Sequence, residues 1–209
     1  MVVTLSKLPG KGSFARGVHP PGNKIFAAEA AIEVIDSPKQ VAIPLLQHTG
    51  APCQAVVKNR QVVAMGELLG TSDAFVSAPV HAPIAGKAAK EGVTTLPNGR
   101  HVPTVPLRAD GEQLSGEELR EEILGGDWPI DGLEQYSPEQ ISQSVRDAGI
   151  VGLGGAAFPT HVKFARNPDK PTDTLLLNGS ECEPYLTADF RMMVEAPAPI
   201  ITGALLAAR

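Results

Sequence analysis

Gly152-Leu153-Gly154-Gly155-Ala156-Ala157-Phe158-Pro159-Thr160-His161-Val162-Lys163 is the stretch on which the reading of the second half of the chain turns. Its glycines let main-chain N–H groups converge on an anion with no Cβ in the way. Pro159 and Thr160 suit the opening of a helix, whose N-terminal N–H groups and dipole favour a phosphate. Lys163, one turn further in, adds a full positive charge. The run therefore suits close approach of backbone to a phosphorylated, planar cofactor. Read only as G-x-G-x-x-A (Gly152, Gly154, Ala157) it is a weak fingerprint, because Ile150 and Val151 alone are available as a preceding strand. An ordinary glycine-rich turn is the competing reading.

The neighbouring segments frame this loop. Ser137-Pro138-Glu139-Gln140 has an N-cap, a proline at N1 and glutamine at N3. Ile141, Val145 and Ile150 continue an apolar stripe, and Gly149 is the stop signal. After the loop, Asp173-Thr174-Leu175-Leu176-Leu177 reads as a buried strand ending in the turn Asn178-Gly179. The order helix, glycine loop, helix, strand, acidic loop, helix suits an α/β layer with ligands at the carboxyl ends of strands. Residues 199–209 are helical in composition, weakened by Gly203. Upstream, Ser115 with Glu118 forms a capping-box pattern for a helix over 117–124 stopped at Gly125-Gly126. Residues 127–135 read as linker anchored by Trp128. The boundary falls within 106–116, which divides the chain into domains 1–112 and 113–209.

Before that boundary, short strands are expected at 31–34, 41–44, 54–57, 61–64, 67–69, 86–90 and 93–96. Asn98-Gly99 is the preferred pair for a two-residue hairpin between Thr94-Thr95-Leu96 and His101-Val102. Close spacing of short strands argues a compact all-β module. The cadence of Ala55-Val56-Val57-Lys58-Asn59-Arg60-Gln61-Val62-Val63-Ala64-Met65-Gly66-Glu67-Leu68-Leu69-Gly70, followed by Ser77-Ala78-Pro79-Val80-His81-Ala82-Pro83-Ile84-Ala85-Gly86-Lys87, resembles the barrel-sandwich hybrid of biotinyl and lipoyl domains. Thr71-Ser72-Asp73-Ala74-Phe75, where those carriers present their lysine, contains none, so structural use of the barrel is expected. The fold class is α+β / α/β: an all-β barrel-sandwich hybrid, then the first part of a Rossmann-like domain.

Composition narrows the function. A net charge of −5 with no Lys/Arg cluster argues against nucleic acid as a partner. No apolar run approaches the roughly 20 residues of a bilayer span. The first seven residues lack the pattern of a secretory signal, so the cytoplasm is the expected compartment. Two cysteines, Cys53 and Cys182, supply neither a disulfide framework nor a cysteine-ligated cluster. His19, His48, His81, His101 and His161 show no metal spacing, and no metal site is expected. His161 alone lies in the candidate site, where a ligand contact and a helix-surface role are both open. Cys182 between two glutamates reads as no nucleophile, and Met192-Met193 reads as packing.

Asn178-Gly179-Ser180-Glu181-Cys182-Glu183-Pro184-Tyr185 follows the expected strand where a ligand loop belongs. Its carboxylates and hydrogen-bonding groups suit ribose hydroxyls, a metal or proton transfer. A solvated acidic turn is the alternative.

Taken together, GLGGAAFPTHVKF and LLLNGSECEPYLTADFRMM closely resemble the C subunit of Rnf-type electron-transport complexes and, more distantly, the NADH-binding flavoprotein subunit of respiratory complex I. Gly17-Val18-His19-Pro20-Pro21 and Ile43-Pro44-Leu45-Leu46-Gln47-His48-Thr49-Gly50-Ala51-Pro52 look like the same subunit, so the resemblance runs from about Gly12 to the last residues. It implies non-covalent FMN reduced by NADH. Gly152, Gly154 and Gly155 would pack against flavin and phosphate, and Lys163 would pair with phosphate charge. Phe158 would offer an aromatic face to the dinucleotide. Asn178 and Ser180 would bond the ribityl chain or ring edge with Glu181 nearby, and Glu183 would face the nicotinamide. No residue is expected to act as a catalytic acid or base. The complex I pattern differs at Leu153, Ala157 and Ser180, where it has arginine, glycine and an acidic residue.

The resemblance further implies a peripheral subunit that takes electrons from NADH through FMN toward [4Fe–4S] clusters. The family holds those clusters in a cysteine-rich segment that this chain lacks, so the chain reads as an N-terminal fragment or truncated form whose own activity is in doubt. Its expected place is cytoplasmic, held at the membrane by partner subunits. A non-enzymatic docking scaffold and a flavin-dependent corrin reductase are the alternatives.

Overall fold

The computed structural model describes residues 20–165, 169 and 172–209. The start of the early motif, through His19, lies outside them. Among the described residues, eight strands, β1 (Gln40–Pro44), β2 (Gln54–Ala55), β3 (Val62–Val63), β4 (Leu68–Thr71), β5 (Val80–His81), β6 (Gly86–Ala88), β7 (Gly92–Thr95) and β8 (His101–Ala109), precede five α-helices. The helices are α1 (Gly116–Leu124), α2 (Pro138–Asp147), α3 (Thr160–Lys163), α4 (Ala188–Glu195) and α5 (Pro197–Ala207).

The strands form two open antiparallel sheets rather than a closed barrel. One runs β1-β8-β6-β3 with β7 also on β8, and the other β2-β4-β5. Leu45, Cys53, Val63, Leu69, Val80, Ile84, Val105 and Leu107 form the buried core of this module. Small residues are required where strands close in. A Cβ on Gly86 would lie 2.2 Å from the Arg108 carbonyl oxygen of the neighbouring strand.

β8 is central although it carries Pro103 and Pro106, which lack the N–H that a ladder uses. A strand residue's N–H and C=O face the same neighbour. The Pro103 carbonyl accepts from Leu45 N, just past the end of β1, and the Pro106 carbonyl accepts from Ala89 N, in the gap between β7 and β6. Each proline nitrogen thus faces a place where the ladder has run out. The β7–β8 hairpin is closed by Leu96 N donating to Arg100 O at 2.8 Å, so its loop has the three residues Pro97, Asn98 and Gly99 rather than two.

The helix starts divide by chemistry. At α2 the capping box is complete: Gln140 N donates to Ser137 Oγ at 3.2 Å and Ser137 N to Gln140 Oε1 at 2.8 Å. At α1 no such bond forms at Ser115, and the acidic first turn of Glu117 and Glu118 supports the start through the helix dipole. Trp128 Nε1 donates to Leu124 O at 3.0 Å, anchoring the linker to the end of α1.

Two expected strands are absent. Residues 31–34 are irregular because Ile32 N turns to the Glu195 carboxylate, 2.9 Å away. Residues 173–177 are neither strand nor buried, with Leu176 84% exposed. Strand backbone needs a neighbour for its N–H and C=O groups, and none flanks this run among the described residues. The described helical half carries one isolated bridge, Val151 with Pro159, and no sheet of its own.

Candidate functional site

The glycine loop is pinched at its base and open at its tip. Gly152 N donates to Phe158 O and Thr160 N to Ile150 O, both at 2.9 Å. Leu153, Gly154, Gly155 and Ala156 are exposed, while Phe158 is half-buried. Gly155 sits at φ +108°, a backbone state that L side chains rarely adopt, and a Cβ there or on Gly154 would meet nothing within 4 Å. The tip thus offers bare backbone to an incoming group. At the base, a Cβ on Gly152 would lie 2.5 Å from Lys163 Nζ. Glycine at this position lets the ammonium rest against the loop's first residue, and α3 delivers that lysine.

The acidic loop is held by other elements. Ser180 N donates to Asn178 Oδ1 at 3.1 Å, a local turn. Glu181 Oε1 accepts from Phe190 N at 3.1 Å and caps the start of α4, where Thr187 makes no side-chain bond. Glu181 therefore has a structural task in addition to any ligand role. Lys24 Nζ donates to Glu183 O at 2.9 Å, Tyr185 N donates to Gly22 O at 2.8 Å, and the Phe26 and Tyr185 rings stack at 6.0 Å. A Cβ on Gly179 would come within 3.1 Å of Met193 Cε, so Met193 packs under this turn. None of these bonds runs from one loop to the other. Asn178, Ser180 and Glu183 are exposed.

A cleft of about 560 Å³ lies between the β module and the glycine loop, lined in part by His48, Thr49, Arg100, Ala156 and Ala157. It meets the loop at its two alanines and leaves Gly152, Gly154 and Gly155 outside its lining. The buried polar groups beneath it are satisfied: Ser77 Oγ donates to Ala51 O at 2.9 Å, and His48 Nε2 lies 3.0 Å from both of those oxygens. Burial pushes the Cys53 thiol above its ordinary value, the Ser77 hydroxyl opposes this in part, and Sγ donates to Ala78 O at 3.1 Å. No group of His, Cys, Asp and Glu among the described residues is placed to hold a metal ion.

Residues 12–112 match the RnfC barrel sandwich hybrid domain, and residues 145–209 match the Nuo51 FMN-binding domain. The C subunit of a Na(+)-translocating ferredoxin:NAD(+) oxidoreductase complex from Acetobacterium woodii is 40% identical over 196 residues, 94% of this chain and 42% of that protein. Its counterpart in a proton-translocating ferredoxin:NAD(+) oxidoreductase complex from Clostridium ljungdahlii is 40% identical over 91% of this chain and 40% of its own length. The corresponding C subunit of an ion-translocating oxidoreductase complex from Rhodobacter capsulatus is 38% identical over 94% of this chain and 37% of its own length. Both halves of the chain are thus similar to RnfC-type C subunits.

The chain spans about two fifths of these RnfC relatives. Both loops fall inside the FMN-binding match. The β module falls inside the barrel sandwich hybrid match, even though its strands make two open sheets. Sequence reasoning missed the residues that contact these loops and their surroundings: Gly22, Lys24 and Phe26 on the acidic turn, Thr49 on the glycine loop, and Arg146, which reaches the β4–β5 turn. Their partners lie 70 to 160 positions away in the chain, roughly, so no local spacing announces them.

Proposed function

We propose that this chain supplies the flavin- and nucleotide-binding end of a membrane-associated, ion-translocating electron-transport complex. The observation that carries the reading is the glycine loop inside the FMN-binding match: bare backbone at Gly154 and Gly155, and a lysine ammonium seated at Gly152. These residues fit a phosphorylated flavin at the level of backbone access and charge. Gly152, Gly154 and Gly155 would receive its phosphate-bearing side with Lys163 as counter-charge. Phe158, half-buried beside them, offers a ring face to the dinucleotide. Asn178 and Ser180 offer hydrogen-bonding groups from the second loop, and Glu183 offers a carboxylate toward the nicotinamide side.

The chemistry that FMN supplies when bound is exchange of a hydride with NADH and of single electrons with iron–sulfur centres. The protein's own work is to bind, orient and exclude, and no side chain here needs to act as acid or base. The chain's two cysteines cannot ligate a [4Fe–4S] cluster, so those centres belong to other parts of the assembly. No single helix among the described residues is long and apolar enough to cross a membrane. The ferredoxin:NAD(+) names of the two relatives put a nicotinamide at one end of their reaction, as this reading does.

Quenching of FMN fluorescence on titration with the chain tests the reading. Binding in the micromolar range is expected, and Lys163→Ala should weaken it roughly tenfold through loss of one charge-assisted contact. A colourless chain that leaves FMN fluorescence unchanged sinks the proposal and favours a docking scaffold, which the exposed Leu175, Leu176 and Leu177 would suit. In an assembly that turns over, the carboxylates of Glu181 and Glu183 should disfavour a 2′-phosphate, so NADH should be used faster than NADPH. Equal rates would count against a role for those two groups.

A further inference from the structure

We propose that the turn between β4 and β5, together with Thr49, is a bracket that holds the glycine loop in shape, with Thr49, Arg146 and His161 as its positioning residues. Its consequence for flavin affinity rests on the function proposed above. The bracket itself does not.

A loop with glycines at 152, 154 and 155 has wide conformational freedom, and its own backbone supplies little restraint beyond the pinch at its base. The missing restraint comes from the β module. Thr49 Oγ1 donates to Ala156 O at 2.6 Å, and Thr49 N donates to Ala157 O at 3.1 Å. These bonds end on the loop itself. Ala157 holds φ +48°, a left-handed state that a non-glycine residue keeps only when its surroundings enforce it. The second of the two bonds supplies such enforcement at that residue's own carbonyl.

The β4–β5 turn acts on the helices flanking the loop. His161 Nε2 lies 2.9 Å from the Phe75 carbonyl oxygen, which can only accept, so Nε2 carries the proton. The imidazole is 4% exposed and meets the Phe75 ring edge-on at 5.9 Å. Its Nδ1 is buried without a hydrogen-bond partner. The ring's placement therefore answers to the single bond at Nε2. Arg146 Nη2, near the end of α2, donates to Ala74 O at 3.3 Å and reaches Ser72 O at 3.5 Å. Gly149 passes so close that a Cβ would lie 2.3 Å from Pro79 O. The turn thus presents a row of carbonyl acceptors to donors on both sides of the loop.

The test is amide hydrogen exchange at Gly152 and Thr160, whose N–H groups form the pinch, in the full chain and in three variants. His161→Leu removes the Nε2 donor. His161→Gln restores a donor at similar reach and removes the orphaned nitrogen. Thr49→Val deletes the bond to Ala156 with little change of shape. Exchange at both amides is expected to quicken about tenfold in His161→Leu and several-fold in Thr49→Val, in line with loss of one hydrogen bond. Leu107, in the β module, should be unaffected, and His161→Gln should match the parent chain. Unchanged exchange at the pinch in Thr49→Val and His161→Leu overturns the bracket. If His161→Leu fails to fold, Thr49→Val decides alone. FMN titration of the same proteins separates the two proposals. No binding by the parent chain removes the flavin reading, and exchange then decides the bracket by itself. Equal binding by parent and His161→Leu overturns the bracket as a determinant of flavin affinity.

Discussion

The two cysteines have opposite fates. Cys53 is buried, donates its proton to Ala78 O, and has its thiol held above the ordinary range by burial, whereas Cys182 is exposed on the acidic turn. The thiolate is the species that alkylates. Iodoacetamide at neutral pH should therefore modify Cys182 and spare Cys53 until the chain is unfolded, as peptide mass spectrometry would show; early modification of Cys53 would contradict the packing. At the same scale, Gly149 combines φ +68° with close approach to Pro79 O. Gly149→Ala should lower stability by about 2 kcal/mol or more, read from the urea midpoint, because strain and a clash coincide. Sequence reading identified this glycine as a helix stop, which is a local property. That it also touches the β module is a long-range property, and no residue near it in the chain signals that contact.

Among the elements, Glu195 ties its own helix α4 to two segments distant in the chain, the irregular run at Ile32 and α1. Its carboxylate takes the side-chain hydrogen bonds of Arg191 on its own helix, the backbone N–H of Ile32, and the ion pair from Arg120 of α1 at 3.2 Å. The Arg191 bond, foremost, then the Ile32 N–H and the charges of Arg191 and Arg120, hold its carboxyl below the usual glutamate range, with desolvation opposing. A folded-state value below the unfolded one means that stabilisation is complete above the ordinary range and is lost as the pH falls through the folded value. Thermal unfolding followed by circular dichroism should show a melting temperature that drops on acidification. Glu195→Gln should start lower at neutral pH and fall less steeply. A parallel acid response in both proteins would remove Glu195 from the account. The elements also show what was legible. The α2 start was readable because a capping box is complete within four residues. β5 was missed because it is two residues long, and of β8 only the start at His101-Val102 was expected, although the strand runs on to Ala109 through Pro103 and Pro106.

Across the described residues, the buried apolar side chains are concentrated in the β module, and the helical half buries few: Leu133, Ile141, Pro159 and Ala196. Stability should be graded accordingly. Amides of β1 and β8 should exchange slowest and those of α1, α4 and α5 several orders of magnitude faster; uniform protection would refute the gradient. The all-β half was legible as strands because its turns and valine-rich runs are local signals. The expected α/β layer was not reached, because the run at Leu175, Leu176 and Leu177 has the composition of a buried strand but no strand beside it among the described residues. The glycine loop was legible as a turn of bare backbone. What holds it in place was not, since that depends on a turn of the other module.

The clasp of Gly22, Lys24 and Phe26 on the acidic turn, reinforced by Ala28 O accepting from Arg191 Nη1 at 3.0 Å, has a consequence for any attempt to divide or recombine this protein. A segregated helical piece beginning at 113 would leave its own fastening behind on the other fragment. Grafting that half onto a foreign β module would need the early strap to travel with it, as an inheritance unit that is discontinuous along the gene.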